Sequence, residues 1–422
     1  MNRTMAQLLL AGSTLVGGVA AQQTVWGQCG GIGWSPPTNP CARGSACSTL
    51  NSYYAQCIRG ATSIHTSTRP PSGPTTTTRA TSTTSSTPPT SSGDRWVGVN
   101  VAGFDFGCST DGTCVTSKVY HPLKNFTGSN NYPDGIGQMQ HFVNDDGMTI
   151  PRLRVGWQYL VTNNLGGALD RTSISKFDQL DQGCLSHGVY CIVDIHNYFA
   201  RWNGGIIGQG GPTNAQFTSH WSQLASKYAF QSRVWFGINE PHAEVNMINT
   251  SAGTVQEVVT AIRNAGATSQ YISLPGANDS QSAAAFISDG SAAALSQVTS
   301  PDESTTNLIF DVHKYSESDN SGTQAECTTN NNDGAFAPPA TWLRPNNRQA
   351  ILTATGGGND QSCIQYLCQP VQYLNQNSDV YLGYVGWGAG SLDNTYELTE
   401  TPTGSGNSWT DTSLVSSCLA RK

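Results

Sequence analysis

Short apolar runs alternate with longer amphipathic stretches from about residue 94 to residue 422. Eight of these runs are typical of buried strands: 97–101, 149–155, 190–195, 234–239, 271–274, 307–312, 350–353 and 380–385. The stretches between them are typical of helices, for example 135–143, 174–185, 217–228, 255–265 and 364–374. Eight strand-helix units predict an α/β fold, a (β/α)8 barrel with its functional residues at the carboxyl ends of the strands.

The first 21 residues have the pattern of a secretory signal peptide. Arg3 precedes an apolar stretch that ends in the small residues Ala20 and Ala21, so we expect cleavage before Gln22. No later run approaches the roughly 18 uninterrupted apolar residues that a membrane span requires. We therefore expect a secreted, extracellular protein without membrane contacts.

Composition narrows the classes of partner. The 12 cysteines of an exported chain predict disulfides. A formal net charge of -7, with only 12% charged residues, argues against a nucleic-acid partner, which requires a concentrated basic surface. A neutral partner fits better, and sequons at Asn125, Asn249 and Asn278 are candidate sites of N-glycosylation.

Residues 22–60 predict a separate small module. Four cysteines lie among glycines and aromatic residues, and a segment this short needs disulfides because its apolar core is small. Its aromatic side chains exceed what such a core can bury, and exposed rings suit stacking on the apolar faces of sugar rings. The alternative is that these rings form the core. The rings are Trp26, Trp34, Tyr53 and Tyr54.

The runs 25–34 and 51–57 resemble the fungal family 1 cellulose-binding module. That resemblance implies disulfides between Cys29 and Cys47 and between Cys41 and Cys57. It also implies a flat cellulose-binding face of Trp26, Tyr53, Tyr54, Asn51 and Gln56. Pro36 and Pro40 depart from the family pattern and make the turn before Cys41 less regular. Residues 61–93 are almost wholly Thr, Ser, Pro, Arg and Gly, which predicts an O-glycosylated linker without a packed core.

Polar and aromatic residues cluster where the predicted barrel strands end. The run 234–239 ends on an amide and is followed by Glu240 and a proline, which offers a fixed, half-desolvated acid that could protonate a leaving group. Any one such residue could be structural, but their joint occurrence on several strands indicates a site. The candidates are Arg152, Trp157, His196, Asn197, Asn239, Glu240, His313, Tyr315 and Trp387.

Together these residues resemble family 5 of the glycoside hydrolases over the whole segment 94–422. The resemblance implies that Glu240 is the acid/base and that Asn239 binds the sugar 2-hydroxyl. It gives Arg152 and Tyr315 the task of positioning the nucleophile, and it makes His196 and His313 the site histidines. Trp387 is the implied platform under the sugar next to the scissile bond.

The expected activity is endo-acting cleavage of β-1,4-glucan with retention, by a monomer without a cofactor. Trp157 and Asn197 are further candidates for substrate binding. The resemblance also implies four disulfides in this segment: Cys108 with Cys114, Cys184 with Cys191, Cys327 with Cys363 and Cys368 with Cys418.

The seventh strand departs from the family pattern at one residue, because Ala354 stands where the nucleophile Glu is expected. Retaining hydrolysis needs a carboxylate about 5 to 5.5 Å from the acid, and a methyl group cannot replace it. Nearly complete loss of hydrolysis is therefore predicted. Asp311, Glu326 and Asp360 are the nearest substitutes, but each is poorly placed for this task.

Three further residues look unfavourable for stability. Pro151 lies within the second predicted strand, where it would remove a hydrogen-bond donor, and Arg154 would place a charge at the barrel wall where the family usually has proline. Pro370 interrupts a predicted helix, at a cost of about 3 kcal/mol if that helix is continuous.

Other functions stay open. The chain could bind cellulose or soluble β-1,4-glucans without cutting them, and Ala354 is the feature that favours this reading. The same chemistry could act on mannan or mixed-linkage glucan, because subsite loops decide the sugar. A metal site of His196, His313 and Glu240 is a weaker alternative, since the spacing matches no metal-ligand signature.

Overall fold

The computed structural model describes residues 28–30, 41, 45–51, 54–59, 95–124, 133–239, 248–277 and 282–421. The chain divides into two compact units, Met1–Thr83 and Thr84–Lys422. The predicted signal peptide and the predicted linker 61–93 lie outside the described residues, as do Trp26, Tyr53, Pro36 and Pro40.

The first unit contains a small antiparallel sheet of three strands in the order β1-β3-β2. These strands are β1 (Gln28–Gly30), β2 (Ser45–Asn51) and β3 (Tyr54–Arg59). Cys29 and Cys47 form the expected disulfide, which confirms a disulfide-stapled β module. Cys41 is also disulfide-bonded, while the side chain of Cys57 lies outside the described part of the chain, as do those of Asn51, Tyr54 and Gln56.

The second unit is a closed barrel of eight parallel strands, as predicted. Its strands are β4 (Trp96–Phe104), β5 (Arg152–Val155), β6 (Cys191–Ile195), β9 (Val234–Gly237), β10 (Ile272–Pro275), β11 (Leu308–His313), β12 (Ala350–Gly356) and β13 (Tyr381–Gly390). Two small hairpins lie outside the barrel: β7 (Arg201–Trp202) with β8 (Gly205–Ile206), and β14 (Thr403–Ser405) with β15 (Ser408–Thr410).

Helices alternate with the barrel strands. They are α1 (Gly135–Asn144), α2 (Trp157–Leu160), α3 (Arg171–Ser186), α4 (Asn214–Tyr228), α5 (Ile248–Asn264), α6 (Ser282–Ala285), α7 (Ser291–Leu295), α8 (Ala337–Leu343) and α9 (Gln361–Gln376). All five helical stretches predicted from the sequence lie within or overlap these helices. Their apolar sides pack on outward-facing strand residues such as Leu153, Val193 and Phe236 to form the main core.

Disulfides tie loops and helices to the barrel unit. The four expected pairs are all present: Cys108 with Cys114, Cys184 with Cys191, Cys327 with Cys363 and Cys368 with Cys418. The last pair joins α9 to the end of the chain and spans 50 residues, so it removes much freedom from the unfolded chain.

The structure corrects the prediction for Pro151. This residue lies just before β5 and not inside it, so no donor is missing from the strand. Its carbonyl still accepts a hydrogen bond from the Ile192 amide, at 3.0 Å. Pro370, in contrast, does lie inside a continuous helix, α9, with its ring buried.

Candidate functional site

The lining of the barrel changes from apolar to polar along each strand. Near the amino ends a compact apolar layer fills the interior: Ile150, Ile192, Trp235, Ile309, Ile351 and Val385. Side chains alternate along a strand, so the residue two positions later also faces inward. Those residues include Arg152, Asp194 and Asp311, all of them buried. The polar layer therefore lies on the carboxyl side of the apolar layer, toward the end at which a barrel of this kind builds its site.

Arg152 is the central cation of this layer. Its guanidinium donates to the Asn100 side chain at 3.1 Å and to the Thr353 carbonyl at 3.4 Å. It also pairs with the Asp194 carboxylate at 3.0 Å. These contacts hold Arg152 against the backbone of β12 immediately before Ala354, which agrees with a positioning role.

Both predicted histidines are buried beside this cation. The His196 ring lies 3.1 Å from the Asp194 carboxylate, and the Nε2 atom of His313 lies 3.0 Å from the Thr353 hydroxyl. Burial holds the pKa of both rings well below the usual value, and the nearby arginines add to the effect. Both imidazoles are therefore neutral near pH 7 and can serve as hydrogen-bonding groups.

Ala354, Tyr315 and Trp387 meet above this polar layer. They belong to one buried apolar cluster with Ala102 and Leu398. The indole N–H of Trp387 donates to the Tyr396 hydroxyl at 2.8 Å, which fixes the ring, and the ring is 9% exposed. The methyl group of Ala354 therefore faces the aromatic residues that are expected to flank the sugar.

The sequence profile of "Cellulase (glycosyl hydrolase family 5)" matches residues 109–390. The chain belongs to glycosyl hydrolase family 5. The "Fungal cellulose binding domain" profile matches residues 25–54, which confirms the N-terminal cellulose-binding module.

Relatives agree with this family. Endoglucanase EG-II of Hypocrea jecorina is 85% identical over 423 residues, with 100% of both chains covered. The manganese dependent endoglucanase Eg5A of Phanerodontia chrysosporium is 46% identical and covers 96% of this chain and 97% of its own. The crystal structure of Cel5A (EG2) from Hypocrea jecorina is 84% identical with a TM-score of 0.76, covering 78% of this chain and 98% of its own.

Asn239 is buried just beyond the end of β9. Glu240, the expected acid/base, follows it directly but lies outside the described residues. The roles of both residues remain predictions.

Trp157 is not a sugar platform in this structure. Its side chain is 0% exposed and packs against Trp202, Phe217 and His220, with ring centroids 4.9, 5.2 and 5.3 Å away. An aromatic residue directly after a strand can turn either to the site or to the core. Here contacts with the rings of Phe217 and His220 on α4, and of Trp202 in the β7–β8 hairpin, place Trp157 in the core.

The Asn197 amide is used inside the protein, and its predicted role in substrate binding stays a prediction. Its oxygen accepts from the Trp157 amide at 2.7 Å, and its nitrogen donates to the Gln158 side chain at 2.6 Å and the Arg201 carbonyl at 3.1 Å. Asn197 thus holds the chain after β5 against the chain after β6.

Arg154 is not an isolated charge at the barrel wall. Its guanidinium pairs with the buried Asp105 carboxylate at 3.2 Å, and its central carbon lies 4.0 Å from the ring centroid of Trp387. Sequence reasoning missed both Asp105 and this stacking. The alternation of side chains along a strand could have shown that Arg154 faces inward, because it lies two positions after the inward-facing Arg152.

The three possible substitutes for the nucleophile are engaged in other contacts or exposed. Asp311 is buried and accepts a hydrogen bond from the Thr353 hydroxyl, and burial raises its pKa to about 7. Asp360 caps α9 by accepting from the Cys363 amide at 2.9 Å. Glu326 is exposed on a loop. The bond from Thr353 engages the Asp311 carboxyl next to Ala354, and the capping bond commits Asp360 to α9.

Outside the site, His141, Asp146 and Asp411 form a cluster with metal-ligand chemistry. Burial would lower the pKa of His141, but bonds to Asp145 at 2.7 Å and to Asp411 at 2.6 Å raise it. The cluster therefore acts as a set of ion pairs that joins α1 to the C-terminal segment.

No helix within the described ranges combines the length and apolarity needed to cross a bilayer. Asn249 is exposed on α5, while Asn125 and Asn278 lie outside those ranges.

Proposed function

We propose that this chain is a secreted endo-1,4-β-glucanase by lineage that has lost its nucleophile, so that it binds β-1,4-glucans and hydrolyses them extremely slowly. Membership of family 5, the cellulose-binding module and the similarity to proteins named endoglucanase support the substrate class. The disulfides support export, because such bonds persist in oxidising compartments. A monomeric state remains a prediction.

The observation that carries this proposal is the location of Ala354. It lies near the carboxyl end of β12, follows the residue that Arg152 and His313 contact, and belongs to the cluster that contains Tyr315 and Trp387. A carboxylate there would be surrounded by hydrogen-bond donors and a cation. A methyl group in the same place offers no oxygen for attack on the anomeric carbon.

The expected mechanism has two steps. Glu240 protonates the leaving oxygen while a carboxylate attacks the anomeric carbon, and water then releases the glycosyl group with Glu240 as base. In this chain the first step lacks its attacking oxygen. Losing a covalent nucleophile costs on the order of 10⁶-fold in turnover in well-studied enzymes.

The test compares hydrolysis of soluble carboxymethylcellulose by the parent chain and by Ala354→Glu, each with and without azide. We expect an inert parent, strong activity in Ala354→Glu, and cleavage by the parent only when azide supplies the attack. Ala354→Gln is the matched control, because it has the size of glutamate without the charge. Efficient cleavage by the unaided parent would show that another carboxylate acts and would overturn the proposal.

The second candidate function is glucan binding without cleavage, which the same alanine favours. Adsorption of the parent to cellulose, with intact cello-oligosaccharides recovered after long incubation, would support it. Activity of Ala354→Glu on mannan or mixed-linkage glucan, but not on cellulose derivatives, would instead redefine the sugar.

A further inference from the structure

Arg154 and Trp387 both point into the barrel. Arg154 lies on the same side of β5 as Arg152, whose guanidinium points at Asn100 and Thr353 in the barrel interior. Trp387 lies two positions after Val385, a member of the interior apolar layer. The guanidinium of Arg154 is therefore stacked on the indole within the site, 4.0 Å from its ring centroid.

An ion pair with Asp105 helps to hold the guanidinium in that place. The Asp105 carboxylate lies 3.2 Å away, and Asp105 is itself fixed by the Gly103 amide, which donates to it at 2.8 Å. Arg154 is 4% exposed, so the ion pair and the stack are both largely shielded from water. Desolvation strengthens a cation–π contact.

We propose that Arg154 caps the sugar platform of this site, so that a glucosyl unit stacks on Trp387 only after the guanidinium has moved off the ring. A pyranose stacked on an indole places its carbon atoms at van der Waals contact, about 4 Å from the ring, where the guanidinium already lies. The two cannot share that face. Arg154 is thus a residue that lowers affinity next to the scissile bond, and this inference rests on the function proposed above.

The first test detects the cap without any ligand. Acrylamide quenching of tryptophan fluorescence is measured for the full-length parent and for Arg154→Leu, and we expect more quenching in the variant because Trp387 becomes accessible. In a Trp387→Phe background the same substitution should change nothing. Equal quenching with and without Arg154 would overturn the cap.

The second test measures competition with the sugar. Cellotetraose is titrated calorimetrically into the parent, Arg154→Leu, Trp387→Ala and the double variant, with chromatography to check that it stays intact. We expect Arg154→Leu to bind about fivefold tighter, from the loss of a desolvated cation–π contact, and we expect no gain in the Trp387→Ala background. The cellulose-binding module is identical in all four chains, so their differences report the barrel.

A folding control keeps this result interpretable. Arg154→Leu leaves Asp105 buried without its cation, so Arg154→Leu combined with Asp105→Asn removes both charges and should show the same tighter binding. Weaker binding in both Trp387 backgrounds would mean that Arg154 contacts the sugar, and it would overturn the proposal. If quenching changes but no variant binds cellotetraose, the proposed glucan binding is wrong, and so is the competition between Arg154 and a sugar for Trp387. The quenching result would then still support the stacking of Arg154 on Trp387.

Discussion

We expect Ala354 to change the pKa of the acid, Glu240, as well as to remove the attacking carboxylate. A carboxylate at this position would be a like-charged neighbour of Glu240 and would disfavour its ionisation. We therefore predict that the Glu240 pKa in the parent is lower than in Ala354→Glu, by about one unit. Carbon-13 NMR titration of labelled glutamate measures both values. Ala354→Gln should resemble the parent, and equal values in all three chains would refute the prediction.

Glu400 is a second residue whose surroundings decide its charge. It is fully buried, and neither carboxyl oxygen has a hydrogen-bond partner among the described residues, so burial raises its pKa well above the usual value. The folded state thus binds a proton that the unfolded state releases above about pH 4.3. Stability from this group is complete below that pH and is lost as the pH rises toward the folded pKa.

Glu400→Gln tests this residue. Relative to the parent, we expect the variant to gain up to about 1.4 kcal/mol in free energy of unfolding per pH unit between the two pKa values. Denaturant unfolding at about pH 4 and pH 7 measures the change. Glu397→Gln, at an exposed site nearby, should show no such trend. A parallel pH dependence of Glu400→Gln and the parent would contradict the burial argument.

At the scale of elements, Pro370 is the residue least compatible with the helix that contains it. It lies inside α9, where it cannot donate to the helix and its ring crowds the preceding turn. We predict that Pro370→Ala raises the free energy of unfolding by about 1 to 2 kcal/mol, since part of the roughly 3 kcal/mol helix penalty is offset by lost packing of the buried ring. Thermal and urea unfolding measure this change.

The control for Pro370→Ala is Gln365→Ala, an exposed position on the same helix where the substitution should be nearly neutral. A less stable Pro370→Ala would mean that packing of the ring outweighs the helix defect.

The predicted low stability of the chain rests on fewer residues than the sequence suggests, because Pro151 lies outside β5 and Arg154 is paired with Asp105.

At the scale of the whole molecule, we expect the two units to have different tasks, binding of cellulose by the module and cleavage by the barrel. The cellulose-binding module should raise the local concentration of the barrel on an insoluble surface without affecting soluble chains. In the active Ala354→Glu background, we predict that Trp26→Ala reduces hydrolysis of crystalline cellulose several-fold and leaves carboxymethylcellulose hydrolysis unchanged. Trp26→Tyr, which keeps an aromatic face, should retain most of the activity on cellulose. Equal loss on both substrates would exclude this division.

The strand and helix pattern by itself determined the barrel, since each apolar run becomes a buried strand with local alternation. It also placed His313 at the end of one strand and His196 directly after another. The absence of a carboxylate at Ala354 was also visible in the sequence. These properties depend on spacing along the chain and on the chemistry of single side chains.

Only the tertiary structure decided which neighbours each side chain meets. Trp157 is buried because Phe217 and His220 of α4 reach it from about 60 residues away in the chain. Arg154 is neutralised by Asp105 and stacked on Trp387, which is contributed by the eighth barrel strand. Such contacts join residues from distant elements, so their energies depend on how the barrel closes and no local pattern encodes them.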